Sequence, residues 1–267
     1  SSDLAWRSSV PPQWAVDSIK GYEGHTWAPD IIYYKGNYHL FYSCSAFGKN
    51  TSAIGHAYRR TLNPDSDEPW TDTGAVIVSH ARDNFNAIDP NIVIDEEGNP
   101  WMTFGSFWGG IQLVRLTEDL TSTLKPEKLY TICTRQFEGA SDVPSRSVNS
   151  VEAPFIFKHG DYYYLFVSYD FCCRGLKSDY KVVVGRSTRV TGPYVDKDGR
   201  ELTRGGGSLV VDSNDEFVAI GHSAAYHFDG KDYFMAHGYS RSEDGASKLF
   251  FREMTWDEEG WPFVSAE

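Results

Sequence analysis

The sequence predicts an all-β chain assembled from repeated four-stranded units, and three observations carry that expectation. Four segments share one pattern: a polar anchor beside a small residue or proline, an apolar pair, a short turn, then an aromatic-rich alternating strand. Each segment is followed by a second alternating hairpin, so each unit holds about four short strands. Aromatic residues make up 15% of the chain, which suits strands and stacking on sugars, whereas helical periodicity is scarce. Self-similarity of this kind, one four-stranded unit after another, is the signature of a β-propeller.

Taken in order, the first halves read APDIIYYKGNYHLFYSCSA from Ala28, DPNIVIDEEGNPWMTFGSFWGG from Asp89, EAPFIFKHGDYYYLFVSYD from Glu152 and HSAAYHFDGKDYFMAHGYS from His222. Their turns, KGN, EEGN, HGD and DGKD, are hairpin chemistry. The second halves read SAIGHAYRRTLNP, IQLVRLTEDLT, YKVVVGRSTRVTGPY and KLFFREMTWDEEGWP. The anchors Asp30, Asp89, Glu152 and His222 lie 59, 63 and 70 residues apart. The opening SSDLAWRSS resembles a second half, so the count is four full units plus a half. The expected architecture is a five-bladed β-propeller with a partial first blade, a single domain over residues 1–267.

Charge and composition exclude several classes. With 25 basic and 37 acidic residues the net charge is −12, which argues against nucleic-acid binding and against docking on anionic lipid. No apolar run approaches the roughly 18 residues of a membrane-spanning helix. No leader pattern opens the chain at Ser1, so the expectation is that any signal peptide is already gone or never existed. The four cysteines, Cys44, Cys133, Cys172 and Cys173, are too few for a disulfide scaffold, and none has zinc spacing. For the adjacent Cys172 and Cys173 two free, half-buried thiols are expected, with a vicinal disulfide as the alternative.

The polar anchors carry the chemistry. The innermost strand of each propeller blade lines the axis, so equivalent positions of successive blades converge at one end of the channel. Asp30, Asp89, Glu152 and His222 are expected there as a ring. Carboxylates around one pocket are what glycoside hydrolysis requires, one protonated to donate to the leaving oxygen and one ionised to activate water. Like charges brought close separate the two pKa values.

Eight blocks, in order, make a specific resemblance: HTWAPDI at 25–31, SAFGKNTSAIG at 45–55, NAIDP at 86–90, GSFWGG at 105–110, VEAPF at 151–155, CCRG at 172–175, GGGS at 205–208 and GHSAAY at 221–226. Together they resemble the family 43 glycoside hydrolases, and within them the arabinanases that cut α-1,5-linked L-arabinan. The resemblance covers essentially the whole chain. It implies a secreted or periplasmic hydrolase acting by single displacement with inversion, endo-acting, with exo action as the alternative. It also implies roles: Glu152 as general acid, Asp89 as the auxiliary acid that tunes it, and His222 as the axial histidine of a structural calcium held largely through water. An imidazole is a poor ligand for a hard cation, which favours the water-mediated form. Trp27 and Phe47 match aromatics flanking the sugar. Ser106, Trp108, Asn149, Ser150, Cys172 and Arg174, with Cys173, fall where loops line the cleft. Asp30 reads as structural.

One departure stands out. The family's general base is an Asp in a His-Asp-Pro type motif on the first inner strand, and the only Asp-Pro of this sequence is Asp89-Pro90. Inversion needs a second carboxylate about 6.5–9.5 Å from the acid. The expectations, in order, are a piece of a longer protein, a neighbouring chain that supplies the missing strand and base, and an inactive sugar-binding relative.

Overall fold

A computed structural model describes residues 11–135 and 149–265. The opening SSDLAWRSS, and with it the partial first blade, lies outside the described residues. Sixteen strands are described, in four antiparallel sheets whose order follows the sequence.

The first sheet is β1 (Thr26–Tyr34), β2 (Asn37–Ser45), β3 (Ser52–Arg59) and β4 (Thr71–Ser79). The second is β5 (Asn91–Ile94), β6 (Pro100–Phe104), β7 (Ile111–Arg115) and β8 (Tyr130–Cys133). The third runs β9 (Val151–His159), β10 (Tyr162–Tyr169), β11 (Lys181–Ser187) and β12 (Ser208–Val211). The fourth runs β13 (Phe217–Phe228), β14 (Lys231–Ser240), β15 (Ser247–Trp256) and β16 (Pro262–Val264). The four repeats of the sequence are thus four four-stranded sheets.

Turn chemistry explains the innermost hairpins. Lys35-Gly36 and Asp229-Gly230 both have φ > 0 at both positions, as a type I′ turn demands. Gly160 alone is left-handed in Gly160-Asp161, the type II′ arrangement. The longer loop between β5 and β6 is held by Asp95, whose Oδ1 accepts the N–H groups of Glu97 and Asn99 at 3.0 and 2.8 Å. The second strands, β2 and β10, are buried along nearly their whole length. Their continuous apolar runs reflect cover on both faces.

By internal contacts the chain divides into two compact units, Ser1–Trp108 with Gln112–Tyr130, and Gly109–Ile111 with Thr131–Glu267. The first unit has a core of Phe41, Ile54, Val76, Ile92, Met102 and Phe104 between the first two sheets. The second has Phe155, Phe166, Val184, Phe217, Phe234 and Phe250 between the last two. A short helix, α1 (Gln13–Ser18), was not foreseen. It buries Ala15 against a cluster containing Tyr42 and Ala53, and Gly55 makes room, since a Cβ there would stand 2.5 Å from the Tyr42 ring and 2.7 Å from Trp14.

Candidate active site

The site is built on irregularities of the innermost strands. Register slips between Trp27 and Asp30 in β1, opposite Phe166 and Ser168 in β9, and between Gly221 and Ala224 in β13. At each slip a residue other than glycine is left-handed: Ala28 (φ 45°), Ala153 (φ 53°) and His222 (φ 52°). Asp89, just ahead of β5, matches them at φ 57°. Such bulges re-aim side chains and tolerate the prolines of Ala28-Pro29 and Ala153-Pro154, which have no N–H to pair. Two hydrogen bonds fix the equivalence. The Asp89 N–H donates to Ser43 Oγ at 3.0 Å, and the His222 N–H donates to Ser168 Oγ at 2.8 Å.

The four anchors are therefore not at equivalent strand positions, as their shared pattern had suggested. Ala28, Asp89, Ala153 and His222 share one backbone position. Glu152 precedes that position by one residue, as Trp27 does, and Asp30 follows it by two. Asp30 is buried, and its Oδ2 accepts the Ile92 N–H at 2.8 Å and the Asn91 amide at 3.2 Å. Its carboxylate ties the first sheet to the second, as its structural reading expected.

In the first unit Trp27 and Phe47 come together. Their ring centroids are 6.5 Å apart, edge to face, with Trp27 half-buried and Phe47 76% exposed. An aromatic so exposed in a short loop is available to a ligand. Asp89 is buried. Ser106 is buried at 4% exposure and repeats the Phe-x-Ser pattern of Ser43 and Ser168. Trp108 is half-buried and, with Phe107, left-handed at φ 41° and 54°.

In the second unit Glu152 is half-buried and opposite Ser168 across β10. Tyr180, immediately before β11, donates its hydroxyl to Glu152 Oε1 at 2.7 Å. Cys172 Sγ lies 3.6 Å from the same oxygen. Cys172 and Cys173 form a disulfide, which corrects the expectation of free thiols, while Cys44 and Cys133 are free and buried. Left-handed Cys173 (φ 64°) turns the chain, and its N–H donates to Tyr239 Oη at 2.7 Å. Arg174 is exposed, its guanidinium 4.1 Å from the Phe171 ring centroid. Asn149 and Ser150 are buried. Asn149 accepts the Arg135 N–H, and Ser150 lies by Asp170, which is bridged by Arg135 and Lys181 at 3.2 and 3.1 Å.

His222 is open to solvent yet set deep among protein atoms, and that crowding holds its imidazole below the ordinary histidine value, with the Glu152 carboxylate pulling the other way. Behind it His237, 6.4 Å away ring to ring, is pushed down to about 4 by burial and by His222. Both are neutral at pH 7, so an imidazole nitrogen is available as an acceptor. No cluster of three or more His, Cys, Asp or Glu in metal-binding geometry occurs among the described residues. A calcium caged directly by side chains does not fit this donor set; a hydrated ion touching His222 through water does.

Tyr180 and His237 were missed from the sequence. Gly221 was the available signal for Tyr180: a Cβ at Gly221 would fall 2.1 Å from the Tyr180 ring, so the glycine of GHSAAY exists to admit that ring.

Comparison with known proteins follows the same lines. The family model described as "Glycosyl hydrolases family 43" matches residues 1–262. An extracellular exo-α-(1→5)-L-arabinofuranosidase of Cellvibrio japonicus is 48% identical over 97% of this chain and 77% of its own length. An extracellular endo-α-(1→5)-L-arabinanase of Bacillus subtilis is 40% identical over 95% of this chain and 73% of its own. The structure of a Cellvibrio cellulosa α-L-arabinanase complexed with arabinohexaose superposes with a TM-score of 0.92, at 47% identity, over 97% of this chain and 82% of that one.

Proposed function

The chain belongs to glycosyl hydrolase family 43 and is a glycosidase, and on that premise we propose that it cleaves α-1,5-linked L-arabinan with inversion of configuration, outside the cell. The observation that carries the site is Glu152: a half-buried carboxyl on a bulged inner strand, held by Tyr180 and within electrostatic reach of His222. In this reading Glu152 gives its proton to the glycosidic oxygen as the bond to the anomeric carbon breaks. Water attacks that carbon from the opposite face and loses its proton to a base carboxylate. Asp89 is the auxiliary acid. Trp27 and Phe47 stack on the arabinofuranose rings, and Trp108, Cys172 and Arg174 line the cleft.

We read the four sheets as blades of one five-bladed propeller domain. One face of the fourth sheet supports this. Phe234 and Phe250 fill the core on one side, while Leu249 and Phe251, on the other, are 70% and 47% exposed, with Tyr233 stacked on Phe251 at 5.2 Å. A fifth blade would cover that apolar face. Inversion in this reading uses a base carboxylate on the inner strand of that blade. His222 would contact a hydrated calcium through water, and the ion would supply fixed positive charge there.

A second reading, release of short products from a chain end, is favoured by the higher identity to the exo-named relative, 48% against 40%. The deciding test is product chromatography on linear α-1,5-arabinan. A ladder of oligosaccharides means endo cleavage, and one short product means exo cleavage. Binding without product from these 267 residues, with turnover by a longer form, would place the base outside them. No product from either would overturn the reading.

A further inference from the structure

We propose that Tyr180 is a positioning residue for the acid: by holding Glu152 Oε1 it commits that oxygen to the wall of the site and leaves Oε2 to carry the proton to the glycosidic oxygen. The inference rests on the reading of Glu152 as general acid and deepens it.

Geometry carries the argument. The Tyr180 hydroxyl donates to Oε1 at 2.7 Å. A protonated carboxyl bears its hydrogen on one oxygen and accepts on the other. An oxygen already accepting from a phenol is therefore the carbonyl oxygen of the acid, and the proton sits on its partner. The disulfide sulfur of Cys172, 3.6 Å from Oε1, carries no hydrogen and walls the same side. Among the groups facing Glu152 are Tyr180 just ahead of β11, Cys172 from the loop after β10, Ser168 opposite it on β10, and His222 from β13.

The tyrosine is itself held rigidly. It is 1% exposed and packs with Val218, Ala219 and Tyr239. Its ring lies directly on the β13 backbone at Gly221, where any Cβ would collide with it. A side chain locked this way delivers its hydroxyl to one point, as a general acid that must meet one lone pair requires. The contact links 152 to 180, one residue of the VEAPF block and one outside every block of the resemblance.

The test is Tyr180→Phe, which keeps the ring and removes only the donor. On linear α-1,5-arabinan kcat should fall by about tenfold, the worth of one intramolecular hydrogen bond, with KM within about twofold. In the infrared difference spectrum the protonated Glu152 C=O band, assigned by its loss in Glu152→Gln, should move to higher wavenumber in Tyr180→Phe. An unmoved band, or an unchanged kcat, overturns the positioning role. The band reports the contact even in a chain that does not turn over. Full polymer cleavage by Glu152→Gln would instead bring down the acid assignment, a separate outcome from loss of the Tyr180 contact.

Discussion

The Ser168 hydroxyl accepts the backbone N–H of His222 at 2.8 Å. In the other unit Ser43 does the same for Asp89 at 3.0 Å. Both serines are fully buried on second strands, and both acceptors serve a left-handed residue of the next sheet, Asp89 just ahead of β5 and His222 within β13. A bulge removes its residue from the ladder and orphans its N–H; a serine one sheet back satisfies it.

Ser168→Ala should therefore cost about 1–3 kcal/mol, the penalty of an unpaired buried donor. Ser43→Ala should cost a similar amount. Urea denaturation of each variant measures it, and unchanged midpoints would show that water replaces the hydroxyl.

Glu152→Gln keeps the shape of the side chain and removes the transferable proton. Activity on linear arabinan should drop by about 10²–10⁴-fold, the usual share of general acid catalysis. Thermal unfolding should be near that of the parent. Near-full activity would exclude Glu152 as the acid.

Trp27→Ala should weaken arabino-oligosaccharide binding by on the order of 1–3 kcal/mol, and Phe47→Ala should do so without loss of stability, because Phe47 is largely exposed. Isothermal titration calorimetry distinguishes them. Unaltered affinity in both would remove the pair from the binding surface.

Gly221→Ala forces a methyl into the Tyr180 ring, at 2.1 Å from its nearest atom. The ring or the β13 backbone must move, at about 1–3 kcal/mol. Activity should fall along with stability. A variant as stable and active as the parent would mean that the ring has slack.

The pair His39 and His56 makes stability pH-dependent. His39 Nε2 must donate to the Tyr34 carbonyl at 3.2 Å, so its Nδ1 accepts from His56 Nε2 at 2.9 Å, and His56 Nδ1 faces Thr73 Oγ1 at 2.8 Å. A proton on His39 would set two N–H groups against each other. Burial, with His39 beside it, pushes His56 down to about 3, against a distant pull from Asp119. A depressed folded-state value means that below about pH 6.5 the unfolded chain binds a proton the folded chain refuses. Stability is then full above 6.5 and declines towards 3, by about 1.4 kcal/mol per pH unit for one proton. Denaturation at pH 7, 5.5 and 4.5 should show the decline, and His56→Gln should flatten it. Parallel pH curves for parent and variant would sink the assignment.

Much of this was legible in the sequence because its physics is local. Alternating strands, Lys-Gly and Asp-Gly turns and the four-fold pattern need only neighbours along the chain, and each became a described strand or hairpin. The position of each bulge was not legible. A bulge of one residue reassigns every side chain around it, which is why Asp30 ties two sheets together while Glu152 aligns with Trp27.

The sequence by itself determined the repeat, the strands and the family, and it singled out Glu152. Tertiary structure alone decided what holds that carboxyl. Tyr180 and Cys172 stand 28 and 20 residues from Glu152, a separation no periodicity links to it. Strand register and the space left by Gly221 bring them within 2.7 and 3.6 Å, because hydrogen-bond partners are chosen by distance in the fold and not along the chain.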